Sequence, residues 1–163
     1  MKALEEKLLS PNNLEEKILK WKENDDKIVF TNGCFDLLHP GHVAYLYEAA
    51  SLGNKLIIGL NTDKSAKKIK GESRPVNNEY SRAILLATMF FIDAIILFDE
   101  ETPLQLINKI KPDVLVKGGD YTLENIVGAK ETLELGGKVE VLSFLEGYSS
   151  SAIIEKIKKE NRA

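Results

Sequence analysis

A single cysteine, Cys34, stands in a chain of 163 residues, so no internal disulfide can form. That excludes a fold stapled by disulfides, and a lone thiol fits a reducing compartment. Histidine is almost as scarce, with only His39 and His42 present. Cysteine and histidine never fall at metal-ligand spacing, so structural zinc is not expected. Charge of one sign is not in large excess either: the net charge is −3. A whole-surface nucleic-acid footprint is therefore excluded. No apolar run approaches the roughly 20 residues that span a bilayer. Met1–Asn13, MKALEEKLLSPNN, carries acids and no apolar core, so it does not read as a signal peptide. The sequence thus predicts a cytoplasmic protein with neither nucleic acid nor membrane as partner.

What is present is an ordinary globular composition, 44% hydrophobic and 29% charged, with no repeat and no low-complexity linker. Residues 1–26 read as a helical N-terminal extension. Leu14, Ile18 and Trp21 recur at helical spacing, and Asn13 with Glu16 resembles a capping box. Residues 27–163 read as one domain. Short apolar runs at Lys27–Thr31, Lys55–Leu60, Ala94–Leu97, Val114–Val116 and Val139–Leu142 are strand candidates, apolar nearly throughout as in strands covered on both faces. Helical stripes lie between them: Val43, Leu46, Tyr47 and Ala50; Ile84, Leu85, Thr88 and Met89; a helix opened by Thr102 and Pro103; one through Ala129–Leu135; and a last one at Ile153, Ile154 and Ile157. This alternation predicts an α/β fold with an open parallel sheet and helices on both faces. Ligands in such folds bind beyond the carboxyl ends of the strands.

The first strand runs into Thr31–His42, TNGCFDLLHPGH. Pro40 fits the first turn of a helix, where its missing N–H has no partner to lose. The free N–H groups and positive dipole end of that helix make an anion site. His39 and His42, three residues apart, can share one face there, and Gly41 lets a bulky group approach the backbone. Two such donors suit phosphate oxygens whose charge grows during transfer.

This segment resembles the HxGH signature of the nucleotidyltransferase superfamily, and the likeness extends from Lys27 to about Lys158. It implies a Rossmann-like sheet of five parallel strands in the order 3-2-1-4-5. It also implies transfer of a nucleoside monophosphate from ATP or CTP to a phosphorylated acceptor, with Mg²⁺ and release of pyrophosphate. On this likeness His39 and His42 are catalytic. Thr31, Asn32, Gly33, Cys34, Phe35, Asp36 and Gly41 bind nucleotide, and Asp36 either caps the turn, orients His39 or helps to hold the metal.

Other strand ends carry further candidates. After the second strand come Asn61 and Asp63, then Lys64, Lys67, Lys68 and Lys70, with Arg74 and Arg82 beyond. Lys64 and Lys67 read as a solvated face. Lys70, beside Gly71 on a loop expected to be mobile, best matches the family's triphosphate lysine, with Lys68 second. Arginine's fork of donors matches phosphate, and the likeness gives Asn61, Asp63, Arg74 and Arg82 to the acceptor, though an exposed salt bridge competes for either arginine. Lys117, Gly118 and Asp120 follow the fourth strand, on the loop that meets nucleotide in the family. Ser149, Ser150 and Ser151 open the last helix, where one serine suffices as a cap, and the further hydroxyls are expected to bind triphosphate oxygens beside the free N–H groups. Ile154 stands where the family often has a basic residue, which leaves more of the triphosphate to the lysines.

Within the superfamily the chain most resembles the D-glycero-β-D-manno-heptose 1-phosphate adenylyltransferases. The stretches Asn61–Ser65, Gly71–Val76, Arg82-Ala83, Phe98–Leu104 and Lys111–Tyr121 carry that likeness. It implies ATP and a sugar 1-phosphate as substrates, a homodimer, and a stand-alone form served by a separate sugar kinase. The alternatives are a cytidylyltransferase or adenylyltransferase for another small phosphate such as glycerol 3-phosphate, and a non-catalytic nucleotide-binding module. Retention of both histidines counts against the last.

Overall fold

The computed structural model describes residues 1–119 and 121–160; Asp120, expected at the nucleotide, lies outside the described residues. The elements run α1 (Lys2–Glu5), β1 (Leu8–Leu9), α2 (Pro11–Glu23), β2 (Ile28–Gly33), α3 (Pro40–Ala50), β3 (Lys55–Asn61), α4 (Asp63–Lys70) and α5 (Glu79–Ala87). They continue with β4 (Ala94–Phe98), α6 (Leu104–Ile110), β5 (Val114–Gly118), α7 (Ala129–Glu134), β6 (Lys138–Leu142) and α8 (Ser150–Glu160).

The strands form one sheet of six in the order β1-β4-β3-β2-β5-β6, and every pairing is parallel. The five expected strands keep the expected order, and β1 is added at the edge. Two residues are too few to show a period. β1 is held by its ladder instead, with Leu8 opposite Ile95 and the Ile95 N–H donating to the Lys7 carbonyl at 2.7 Å.

Both faces of the sheet are apolar because successive side chains point oppositely and both sets are hydrophobic. Val29, Leu56, Ile58, Ile95 and Val116 pack with Leu46 and Ala49 of α3 and Ala83 and Leu86 of α5. Ile28, Phe30, Ile57, Ile96 and Leu115 pack on the other face with Leu14, Ile18 and Trp21 of α2 and Ile107 and Ile110 of α6. Residues 1–26 thus contribute both an edge strand and one helical layer.

Three helix readings shift. Ser10, with Pro11 at the first position, caps α2 by accepting from the Asn13 N–H at 3.3 Å, so the helix starts before the supposed Asn13 cap. α6 begins at Leu104 with no side-chain cap, so Thr102 does not serve as one. The buried stripes of α3 and α5 are Tyr45, Leu46 and Ala49, and Arg82, Ala83, Leu86 and Ala87, while Val43, Tyr47 and Leu85 are exposed. Apolar residues on both sides of these helices left the inward face ambiguous.

Leu14 is fully buried. Leu14→Ala should cost about 2–5 kcal/mol in urea unfolding. A loss below about 1 kcal/mol, the size typical of surface changes, would show that α2 is only appended to the sheet.

Candidate active site

β2 is central. From it the chain steps outward to β3 and β4 on one side and to β5 and β6 on the other. The carboxyl end of β2 is therefore the switch point at which a crevice opens. A cavity of about 360 Å³ lies there, a size suited to a small ligand.

Phe35 turns the chain at the cavity's base with φ +44°, in the left-handed region that a bulky residue rarely occupies. The turn carries Asp36 inward. The Asp36 carboxylate accepts from Arg74 Nε at 2.5 Å and from the backbone N–H groups of Val76 and Asn77 at 2.8–2.9 Å. Burial alone would raise its pKa, but these donors outweigh burial and hold it below the usual value. The first role of Asp36 in this arrangement is thus to fasten the 74–77 segment against the cavity.

α3 starts as its sequence requires, with Pro40 first and His39 as cap. His39 Nδ1 accepts from the His42 N–H at 3.3 Å. A neutral imidazole that accepts at Nδ1 carries its proton on Nε2, which is then free to donate. The His39 and His42 rings stack with centroids 3.8 Å apart, Tyr148 lies parallel beyond His39 at 6.4 Å, and the Phe35 ring meets His42 edge-on at 5.4 Å. A Cβ at Gly41 would come within 3.0 Å of His39 Nδ1 and 3.2 Å of Tyr148 Cβ, so glycine makes room for this stack.

Enclosure has an electrostatic result. Burial first, then the neighbouring His39, lowers the His42 pKa to about 4, against the favourable Leu37 carbonyl. His39 is lowered by burial as well. His42 Nδ1 is buried without a hydrogen-bond partner among the described residues. Such a nitrogen is costly unless a ligand supplies the missing bond.

Cations enter the cavity from separate elements. Lys70, in the last turn of α4, and Arg74 line it, as does Lys117 from the end of β5. The expected mobile lysine loop is helix as far as Lys70, and Arg74 beyond it is anchored on Asp36. Lys64 points elsewhere, to Asp99 at 2.5 Å, and Lys67 pairs with Glu72. At the opposite rim, Ser149 Oγ accepts from the Ala152 N–H and caps α8, while Ser150 Oγ donates to the Leu37 carbonyl. Ser151 keeps its hydroxyl unengaged among the described residues and lines the cavity.

Asn32, Gly33, Cys34, Phe35, Asp36 and Gly118 also reach the cavity wall. Burial raises the Cys34 thiol pKa, so it is protonated and unreactive at neutral pH. Gly41 underlies the histidines without lining the cavity. Thr31 is buried, with its Oγ1 2.6 Å from the Tyr45 hydroxyl, and does not reach the cavity.

Of the four residues expected at the acceptor, only Arg74 lines the cavity. Arg82 is fully buried, donating to the carbonyls of Asn77 and Cys34 and to Asp63 Oδ1 at 2.8 Å. Asn61 is buried and donates to Ser65 Oγ. These three hold the walls together, since a buried guanidinium must find carboxylate or carbonyl partners. Conversely, Tyr45, Tyr121, Phe144 and Tyr148 line the cavity and were not among the candidates. Tyr45, one turn after His42, could have been found by helical spacing. Phe144 lies in the connection after β6, where sequence has no period to read.

The cytidylyltransferase-like family pattern matches residues 30–156. The chain is 54% identical over 149 residues to the bifunctional protein HldE of Marinomonas sp. (strain MWYL1), covering 91% of this chain and 31% of that protein. It is 55% identical over 144 residues to the bifunctional protein HldE of Campylobacter jejuni subsp. jejuni serotype O:6 (strain 81116 / NCTC 11828), covering 88% and 30%. The chain thus spans about a third of the length of these curated relatives. Among solved structures it is similar to the lipopolysaccharide core biosynthesis protein of Thermoplasma volcanium GSS1, with a TM-score of 0.59 and 27% identity over 76% of this chain and 99% of that one. The fold is also that of pantoate-beta-alanine ligase from Francisella tularensis, with a TM-score of 0.63 and 15% identity over 96% of this chain and 79% of that one. Family pattern, relatives and the TNGCFDLLHPGH segment at the switch point agree: the chain belongs to the cytidylyltransferase-like family.

Proposed function

We propose that this chain transfers AMP from ATP to a sugar 1-phosphate, D-glycero-β-D-manno-heptose 1-phosphate, giving ADP-heptose and pyrophosphate. The observation that carries the reading is the stacked His39–His42 pair at the start of α3, in one cavity with Lys70 and Lys117. Likeness to the HldE proteins supports the choice of acceptor.

Charge sets the chemistry. A sugar 1-phosphate is mostly dianionic near neutral pH, because phosphate monoesters lose their second proton near pH 6. It needs no general base. One of its oxygens forms a bond to the α-phosphorus of ATP, the bond from that phosphorus to the bridging oxygen breaks, and the electron pair leaves on pyrophosphate. The protein's task is to bring two anions together in line and to offset the charge that departs. The Gly41 N–H at the start of α3 and the proton on His39 Nε2 serve the α-phosphate in this reading, since Pro40 has no N–H and the His42 N–H is already bonded to His39. His42 is neutral in the free protein. Phosphate charge beside it favours the imidazolium, and most of all when charge builds on the departing pyrophosphate, so its orphan Nδ1 gains a proton in the transition state rather than on binding. Lys70, at the open side, and Ser151, at the start of α8, serve the leaving pyrophosphate.

Magnesium is expected with ATP. Among the described residues no three carboxylate, histidine or cysteine groups could hold a metal ion, and Asp36 already spends its carboxylate on Arg74 and two backbone donors. The described side chains therefore do not fit a resident metal site. Magnesium arrives on the phosphates as part of the substrate.

The coarser setting follows the same reading. Among the described residues no helix is long and apolar enough to cross a membrane. A cytoplasmic location suits the half-buried free thiol of Cys34. Likeness also supports a homodimer, which light scattering tests by mass, and a kinase-class reaction that supplies the sugar 1-phosphate.

The deciding experiment follows pyrophosphate release with ATP or CTP against heptose 1-phosphate and glycerol 3-phosphate. ATP with heptose 1-phosphate should give the highest kcat/KM. Preference for CTP or for glycerol 3-phosphate would move the chain to another acceptor within the family.

A further inference from the structure

We propose that Lys117, steadied by Asn32, holds the phosphate of the acceptor; this deepens the adenylyl-transfer reading and rests on it. The sequence grouped Lys117 with the nucleotide loop, but its surroundings argue for a different anion.

Three basic side chains other than histidine line the cavity among the described residues: Lys70, Arg74 and Lys117. Arg74 is already neutralised by Asp36, which is itself buried. Arg82, the other arginine expected at the acceptor, is sealed in the wall with Asp63. Lys70 and Lys117 are the cations left for two incoming anions.

They differ in depth. Lys70 sits exposed in the last turn of α4, whereas Lys117 is half-buried at the end of β5. Its Nζ is 3.4 Å from Asn32 Oδ1, on the neighbouring central strand, and 5.6 Å from the centre of the Tyr121 ring. No carboxylate pairs with it among the described residues. Burial, with Lys70 adding repulsion, lowers its pKa. Two ammonium groups that share a cavity repel one another until an anion lies between them.

Depth separates their tasks. Pyrophosphate must leave to water, so its cation belongs at the open side. The attacking phosphate must be stripped of solvent and held in line, so its cation belongs inside. Lys117 meets the second requirement. The neutral contacts of the Asn32 amide and the Tyr121 face fix the ammonium without quenching its charge.

The test is calorimetric titration into protein saturated with α,β-methylene-ATP, which fills the nucleotide subsite and cannot react. Heptose 1-phosphate and, separately, inorganic phosphate are titrated into wild type, Lys117→Met and Lys117→Arg. Wild type should bind both ligands. Lys117→Met should weaken both by about 10- to 100-fold, the value of a charge-assisted hydrogen bond. Lys117→Arg should recover much of the loss. The affinity for α,β-methylene-ATP should stay within about threefold in every variant, which also shows that each is folded. Equal weakening of nucleotide and phosphate would return Lys117 to the nucleotide and overturn the proposal. So would unchanged phosphate affinity in Lys117→Met, or no phosphate binding by wild type. If inorganic phosphate binds in a Lys117-dependent way but heptose 1-phosphate does not, the anion site stands and the acceptor reading falls.

Discussion

His42→Ala should lower turnover by roughly 100- to 1,000-fold while shifting the KM for ATP by less than about threefold, the pattern of a group that acts on charge developing in the transition state. The reason lies in its enclosure. Phe35 on one side and His39 on the other exclude water, so the free protein holds a neutral ring with Nδ1 unpartnered. The ring becomes a strong donor only when phosphate charge arrives, and that charge is greatest as pyrophosphate departs. A variant with near-normal turnover and only a raised KM would make His42 a ground-state ligand. His39→Ala should be comparably slow, and it also removes the side-chain acceptor at the start of α3.

The same enclosure affects stability. The folded pKa of His42 is about 4, below the 6.5 of an unfolded histidine. Between these values the unfolded chain binds more protons than the folded one. The contribution is therefore full above about pH 6.5, is lost progressively as pH falls toward 4, and changes no further below that. Urea midpoints across this window should fall less steeply for His42→Ala than for wild type. Parallel slopes would mean that the ring is already charged in the free protein.

Lys70→Ala is expected to lose roughly 10- to 1,000-fold in turnover, again the range for removal of one preorganised charge-stabilising group. Lys64→Ala, two turns earlier on α4, should change turnover by less than about twofold. Lys64 is paired with Asp99 on the exposed side of the helix, where an ion pair contributes little. Lys70 faces the cavity and has no acidic partner among the described residues. Both changes remove one positive charge from the same short helix. Equal losses would show that α4 acts through diffuse charge and would take the named role from Lys70.

Much of this fold was legible because its strands are buried on both faces. Ile28–Phe30, Leu56–Ile58 and Val114–Val116 are apolar without interruption, and the Gly, Pro and Asn clusters between them mark the connections. β1 was not legible, since Leu8 and Leu9 form a strand only because Ile95 and Ile96 wait beside them. The inward faces of α3 and α5 were offset for a similar reason. Val43, Tyr47 and Leu85 are as hydrophobic as the residues actually buried, and only packing distinguishes them.

The site divides along the same line. His39, Pro40, Gly41 and His42 are adjacent in sequence, so local helix chemistry was enough to bring them together. Asn61, Asp63 and Arg82 were assigned as ligands by likeness to the family, at or beyond the end of the second strand. Whether such a residue faces a cavity or pins a wall depends on groups far away in sequence. Arg82 is satisfied by Cys34 and Asp63, at separations of 48 and 19 residues. A clue was present in the spacing, since Arg82, Ala83 and Leu86 share one side of α5 and Ala83 and Leu86 belong to the core.

The central claim is that an AMP group moves to a phosphorylated sugar. Incubating the purified protein with ATP, magnesium and D-glycero-β-D-manno-heptose 1-phosphate, and weighing the products by mass spectrometry, tests it most directly. The account predicts ADP-heptose and pyrophosphate in equal amounts, with neither formed when the sugar phosphate is omitted. Unchanged ATP with every phosphorylated acceptor, or release of orthophosphate and ADP in place of pyrophosphate, would contradict it.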